Sequence, residues 1–285
     1  MAESYQSAQL VQTAAGKQYH VGVAPGDVHE RILLVGDPAR ADKVASRFER
    51  VDCRRTSREY VTVSGLWRGL PLTVTATGIG CDNTEIAVVE LCQVVARPTF
   101  IRVGSCGALA PGIALGDLVI SSGAVRLEST STWFVPEGYP AVADAEVVLA
   151  LVEATAALEG RRAHVGLTAT AAGFYGAQGR NVPGFPPRDP ELPARLGRLG
   201  VKNMEMEASL LFTLAQLRGL RAGAVCAVYA NREADTFVDT DLKDRAEAAA
   251  IDAGLEAFAV LDRMERARAA AGAPRWRPGL GLAPG

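Results

Sequence analysis

The chain has 285 residues, of which 48% are apolar, and a formal net charge of −2. That length suits one large α/β domain with a sizeable core, and the balanced charge argues against a nucleic-acid binder driven by overall charge. No apolar run reaches membrane-spanning length and no cationic segment leads into an apolar one near Met1, so no membrane partner and a cytoplasmic location are expected.

Residues 1–18 are small and polar and read as a flexible arm, with Tyr19-His20-Val21 just beyond it. On local grounds His20 is an ordinary loop residue. Residues 31–35 read as the first buried strand, running into Gly36-Asp37-Pro38-Ala39-Arg40. Asp37 as N-cap and Pro38 at the first helical position start a helix there. Arg40 falls in its first turn, near N–H groups that favour anions, although a solvated helix residue fits equally well. The stretch lacks G-x-G-x-x-G and a suitably spaced acid, which argues against a dinucleotide site. Arg58-Glu59-Tyr60 precedes alternating Val61-Thr62-Val63, and Arg58 alone reads as a solubilising charge at a hairpin edge. A strand at 72–76 ends in T-G-I-G (77–80), after which Asn83 or Thr84 can cap a helix.

The most informative stretch is T-F-I-R-V-G-S-C-G-A-L (99–109). Its β-branched start predicts a buried strand. Gly104, Ser105, Cys106 and Gly107 then predict a turn whose N–H groups face inward as an anion-binding nest. Arg102 stands just before it, placed to grip a tetrahedral oxyanion; an ordinary strand-ending turn is the alternative.

Further along, the pattern predicts a strand at 117–122, a helix at 144–158 and a strand at 163–168. The Gly/Pro-rich segment 174–189 reads as a long loop carrying Phe174, Tyr175, Gln178 and Arg180. An aromatic beside an amide and a guanidinium suits a planar heterocycle. Glu205 and Glu207 lead into a helix at 208–218, and a carboxylate there can hold a vicinal diol. On a helix the two would diverge, so one of them is expected to point into any pocket. Residues 222–230 form the last buried strand, followed by Asn231-Arg232. A charged helix at 241–270 and a Pro/Gly-rich tail, expected to be disordered, complete the chain. The five cysteines are odd in number and lack C-x-x-C spacing, and the three histidines are scattered. Reduced thiols fit; a zinc site or a serine–histidine triad does not.

Taken in order, G-D-P-A-R (36–40), T-G-I-G (77–80), R-V-G-S-C-G (102–107), F-Y-G-A-Q-G-R (174–180), N-M-E-M-E-A-S (203–209) and Y-A-N-R (229–232) resemble the nucleoside phosphorylase family, and within it the uridine phosphorylase branch. The likeness covers about residues 19–265. It implies a single three-layer α/β/α domain over 19–270, with a central mixed, partly barrel-like sheet. The assembly it implies is a homohexamer built from dimers with shared active sites. The implied reaction is reversible phosphorolysis of uridine to uracil and ribose 1-phosphate, with related pyrimidine nucleosides as further candidate substrates.

Matched position by position, the family pattern makes Gly36, Arg40, Arg102 and Ser105 phosphate binders. Arg58 would reach the phosphate, and His20 the ribose 5′-hydroxyl, from a neighbouring subunit. Met206 and Glu207 correspond to ribose contacts, Glu207 on the 2′- and 3′-hydroxyls. Phe174 would stack on the base, and Gln178 and Arg180 would bind the uracil amide edge. Arg232 is expected nearby, acting through water. Arg102, Arg180, Gln178 and Arg232 would carry the chemistry, with inorganic phosphate as co-substrate and no cofactor or catalytic metal.

Family members can hold a monovalent cation between subunits near the residue matching Glu59, but Cys81-Asp82-Asn83 replaces the usual glycine-and-serine run. Ser105 stands where the branch often has threonine, and the unusual run N-V-P-G-F-P-P (181–187) leaves the choice among pyrimidines open. Rival readings on the same scaffold are a purine nucleoside phosphorylase, a nucleosidase using water, and a non-catalytic nucleoside-binding protein. The first is disfavoured because no acid follows Tyr229 until Glu233. The second would not need Arg40, Arg58 and Arg102 together.

Overall fold

The computed structural model describes residues 4, 5, 7–158 and 160–285. In chain order its elements are β1 (Arg31–Val35), α1 (Pro38–Ala45), β2 (Arg50–Ser57), β3 (Tyr60–Trp67), β4 (Leu70–Ala76), α2 (Cys81–Val94), β5 (Thr99–Ala108) and β6 (Leu118–Leu127). There follow β7 (Ala141–Val142), α3 (Ala145–Ala156), β8 (Ala163–Ala171), α4 (Leu192–Arg198), β9 (Asn203–Glu205), α5 (Ala208–Leu217), β10 (Arg221–Asn231), β11 (Thr236–Phe237) and α6 (Thr240–Ala270).

All eleven strands belong to one mixed sheet. Five of them close on themselves: β5 pairs with β10, β10 with β6, β6 with β8, β8 with β9, and β9 back with β5. From β5 an open wing continues through β1, β4, β3 and β2. This is the mixed, partly barrel-like sheet expected from the family likeness.

Side-chain alternation on the buried strands builds the layers. Leu33 and Val35 of β1, with Ile101 and Val103 of β5, face a core shared with α1, α3 and α6. Ile32, Leu34 and Phe100 face the opposite core, under α2 and α5. Helix starts follow local capping chemistry: Asp37, Asp144 and Asp239 accept from Ala39 N, Val147 N and Leu242 N at the heads of α1, α3 and α6.

Two local expectations are corrected. Neither Asn83 nor Thr84 caps α2, because the helix begins earlier, at Cys81, with Gly80 as N-cap at a φ of 99° that favours glycine. Gly104 to Gly107 do not form a turn either. They continue β5, held to β10 through Cys226, Ala227, Val228 and Ala230. The cross-strand ladder outweighs the local turn preference of the two glycines.

At the chain ends, residues 1–3 and 6 of the expected arm lie outside the described residues. Gln18 is buried, donating to Gln12 Oε1 and Gly16 O. Beyond α6, Trp276 and Leu282 pack back on the core, and Trp276 Nε1 donates to Gly281 O. No helix among the described residues is long and apolar enough to cross a membrane.

Gly254 lets α6 lie close on the sheet: a Cβ there would sit 2.5 Å from Val103 Cγ2 and 3.1 Å from Leu33 Cδ2. Gly254→Ala gains about 1 kcal/mol of helix propensity against an overpacking cost of about 1–3 kcal/mol. A net loss is expected, read as a lower urea-unfolding midpoint.

Candidate active site

β1 follows one edge of β5 from Thr99 to Val103, and β9 takes up that edge only at Gly107. Between them the edge of Gly104–Cys106 has no neighbouring strand, and a cleft of about 770 Å³ opens there. It lies beyond the carboxyl ends of the parallel strands β1, β4, β5 and β10, the usual ligand position in such sheets. The cleft collects Gly36, Arg40, Arg102, Ser105, Phe174, Gln178, Arg180, Met206 and Glu207.

Arg102 is the best-held of these. Its Nε donates to Glu205 Oε2 at 3.0 Å, and its terminal Nη2 pairs with Glu207 Oε2. A Cβ on Gly104 would lie 2.8 Å from that Nη2, so glycine is what makes room for the guanidinium. Glu205 was not assigned a role from the sequence, yet it organises the wall. It also accepts from Thr170 Oγ1 at 2.6 Å and from the backbone N–H groups of Glu207 and Ala208 at the head of α5.

Glu207 accepts from Gly80 N at 2.6 Å. The expectation that only one of these two acids faces the pocket is therefore corrected. β9 ends at Glu205 and Glu207 precedes α5, so the two are not on the helix where they would diverge; both line the cleft and both meet Arg102. Burial opposes the charge on Arg102, but Glu207 and Glu205 outweigh it and raise its pKa. For Glu207 burial dominates: it raises the carboxyl above its ordinary value against the pull of Arg102, and Glu205 adds to the rise.

Arg40 enters from the first turn of α1. Its Nε donates to Glu247 Oε1 at 2.6 Å and its Nη1 to Val103 O at 3.1 Å. Lys43, one turn along α1, pairs with the other Glu247 oxygen. Glu247 lies within α6, more than 200 positions away in sequence, and nothing local marks it. Burial raises its pKa, but hydrogen bonds from Lys43 and Arg40 and their charges outweigh that and hold it below the ordinary value of 4.5.

At the other end, Gln178 is buried beside Arg180, whose Nη1 donates to Gln178 Oε1 at 3.3 Å. The Arg180 guanidinium lies 3.8 Å from the Phe174 ring centroid. Burial, and then the charge of Arg232, push Arg180 down to about 10. Arg232 itself sits in a neighbouring recess with Leu109, Pro193 and Glu233, and burial lowers its pKa as well. Among the described residues, neither guanidinium has a carboxylate bonded to it.

His20 and Arg58 do not enter this chain's own cleft. Glu90 pins His20, 2.6 Å from its Nδ1 and accepting from the backbone N–H groups of His20 and Val21. Arg58, at a φ of 54° in the β2–β3 turn, donates to Tyr19 Oη at 3.0 Å and stands over the Tyr19 ring. Tyr19 in turn meets His20 edge-on at 4.8 Å. The three form one surface cluster. Glu59, next in sequence, does line the cleft, as does Asn83.

A sequence model of the phosphorylase superfamily matches residues 30–264. The chain belongs to that superfamily. Among relatives of this phosphorylase-superfamily chain, the uridine phosphorylase of Thermococcus kodakarensis is 46% identical over 284 residues, covering 98% of this chain and 99% of that one. The uridine phosphorylase of Escherichia coli is 37% identical and covers 84% and 96%. A guanosine phosphorylase of Halorubrum lacusprofundi is 38% identical and covers 80% and 89%. In three dimensions the chain resembles a Trypanosoma brucei nucleoside phosphorylase whose crystal structure is described as showing uridine phosphorylase activity. The TM-score is 0.80 at 26% identity, over 88% of this chain and 99% of that one.

Glu247 generates a prediction with a definite sign. Its carboxyl is held below 4.5, so its stabilisation is complete above that pH and is lost as pH falls through the lower folded-state value. The stability advantage of wild type over Glu247→Gln, read from urea unfolding across pH 3 to 7, is expected to be flat above about 4.5 and to shrink below it.

Proposed function

We propose that this chain catalyses the reversible phosphorolysis of uridine to uracil and ribose 1-phosphate. The observation that carries the reading is that one cleft collects two arginines, each steadied by a buried carboxylate, an acid, and an aromatic–amide–guanidinium group. In this reading Arg40 and Arg102 make one end with Gly36 and Ser105, Glu207 the middle, and Phe174, Gln178 and Arg180 the other end.

Phosphate bound at the first end attacks C1′ on the face opposite the base, through an oxocarbenium-like state with inversion. No protein nucleophile is required. The arginines hold the dianion against the sugar, which contributes through orientation. Glu207 accepts from the 2′- and 3′-hydroxyls beside Met206. Because Arg102 bridges Glu205 and Glu207, the phosphate and diol sites are tied to one another. As the bond to uracil breaks, negative charge develops on the base. Arg180 and Gln178 stabilise it, with Arg232 behind them acting through water. The lack of a carboxylate partner on Arg180 leaves its charge available for that anion.

Uridine is favoured over a purine nucleoside because the end of β10 offers no acid to protonate a purine. Asn231 is already used there: its Oδ1 accepts from Glu233 N and Ala234 N, and its Nδ2 donates to Ile113 O. The His20–Tyr19–Arg58 cluster, outside its own cleft, serves a neighbour's: His20 meets the ribose 5′-hydroxyl and Arg58 the phosphate. The assembly in this reading is a homohexamer built from dimers with shared sites. The reaction needs no cofactor, and the five free thiols suit the cytoplasm.

The reading is tested with a panel of uridine, thymidine, deoxyuridine and guanosine, with and without phosphate, scored for free base. Phosphate-dependent uracil release is expected. Release without phosphate would make the protein a nucleosidase, and no turnover at all a binding protein. Removing one charge-stabilising donor costs about 3 kcal/mol. Arg180→Ala is therefore expected to lower kcat/KM for uridine roughly a hundredfold; near-wild-type kinetics would count against the base-end assignment.

A further inference from the structure

β10 carries a bulge in its ladder with β5. Val228 is opposite Cys106 and Ala230 opposite Gly107, which leaves Tyr229 as the extra residue. A bulge bends a strand and re-aims the side chain at the irregularity. Here that side chain is a tyrosine, 92% buried by the converse of its 8% exposure, in the core shared with α6. It also lines the cleft, on the wall that holds Gly36, Arg40 and Ser105.

The Tyr229 hydroxyl has no hydrogen-bonding partner among the described residues. It lies close to the charged trio of Arg40, Glu247 and Lys43, whose charges all act on it. It lies beside Arg40 without meeting the geometry of a hydrogen bond. Glu247 is already engaged by Arg40 and Lys43. A buried hydroxyl left unsatisfied costs about 1–3 kcal/mol, and proteins rarely leave one so without a use.

We propose that Tyr229 is a further phosphate-binding residue, its hydroxyl donating to a phosphate oxygen held by Arg40. The inference rests on the phosphorolysis reading above. It extends the donor set of Gly36, Arg40, Arg102 and Ser105 by a neutral O–H group. Burial raises the phenol's pKa above its ordinary value, so it keeps the proton it must donate. A phenol donates to the dianion without adding another cation to a cleft that already carries Arg40 and Arg102.

Tyr229→Phe removes the hydroxyl and keeps the packed ring, so without phosphate its thermal midpoint should be at or above that of wild type. A hydrogen bond to a charged group is worth enough to raise the phosphate KM roughly ten- to a hundredfold. The KM for uridine at saturating phosphate should stay within about twofold. The midpoint increase that phosphate alone produces in wild type should shrink in Tyr229→Phe. An unchanged phosphate KM, or a rise confined to uridine, would overturn the proposal while leaving phosphorolysis intact. Failure of the wild-type protein to release uracil with phosphate would instead sink the phosphorolysis reading, and the phosphate-binding role with it.

Discussion

The cleft depends on one buried ionic cluster, in which Arg102 is gripped by Glu205 on one side and Glu207 on the other. Buried charges are expensive to desolvate, and such a cluster is tolerable only when nearly every hydrogen-bonding position is filled. Glu205 meets that condition with Arg102, Thr170 and two backbone N–H groups at the head of α5. Strand β5, strand β9 and helix α5 are thereby tied at one point. That is the point where β5 leaves β1 and has not yet reached β9. The geometry of the catalytic wall is fixed by electrostatics acting across a gap in the sheet, and not by loop conformation alone.

The two ends of the cleft treat their arginines differently, and the contrast has chemical meaning. Arg40 and Arg102 are each held by a carboxylate, so their positions are set before a dianion arrives. Arg180 rests on an aromatic face and feels the charge of Arg232, with no acid bonded to it. A cation in that condition has most to gain when a negative charge develops beside it. In the proposed reaction, one end would suit a ligand that is always charged, and the other a charge that appears only as the reaction proceeds.

The surface cluster of Tyr19, His20 and Arg58 extends the same logic beyond one subunit. Glu90 spends its carboxylate on His20 and on two backbone N–H groups, which orients a ring that its own chain does not use in its cleft. Such groups, fixed but outside their own chain's cleft, are what the proposed sharing of sites between copies would use.

Much of this was legible in the chain itself. The capping of α1 by Asp37 and Pro38, the strands β1, β4, β6, β8 and β10, and the helices α3, α5 and α6 follow from local patterns that the tertiary structure leaves intact, whereas β2, β7, α4, β9 and β11 were not read from the sequence. So do the identities of Arg102, Phe174, Gln178 and Arg180, because residue type and motif order carry them. What failed was local: the expected turn at Gly104–Gly107 is a strand, since pairing with β10 decides its conformation and the glycines serve the guanidinium instead. Glu247 could not be picked out at all, and the parts that Glu205 and Tyr229 take could not be read from their motifs. Their roles arise from contacts across 35 to more than 200 positions of sequence or from a single-residue slip in a ladder, and neither leaves a local periodicity. Sequence alone determined which groups are available; only the closure of the sheet decided which charges meet, because electrostatic partners are chosen by distance in space.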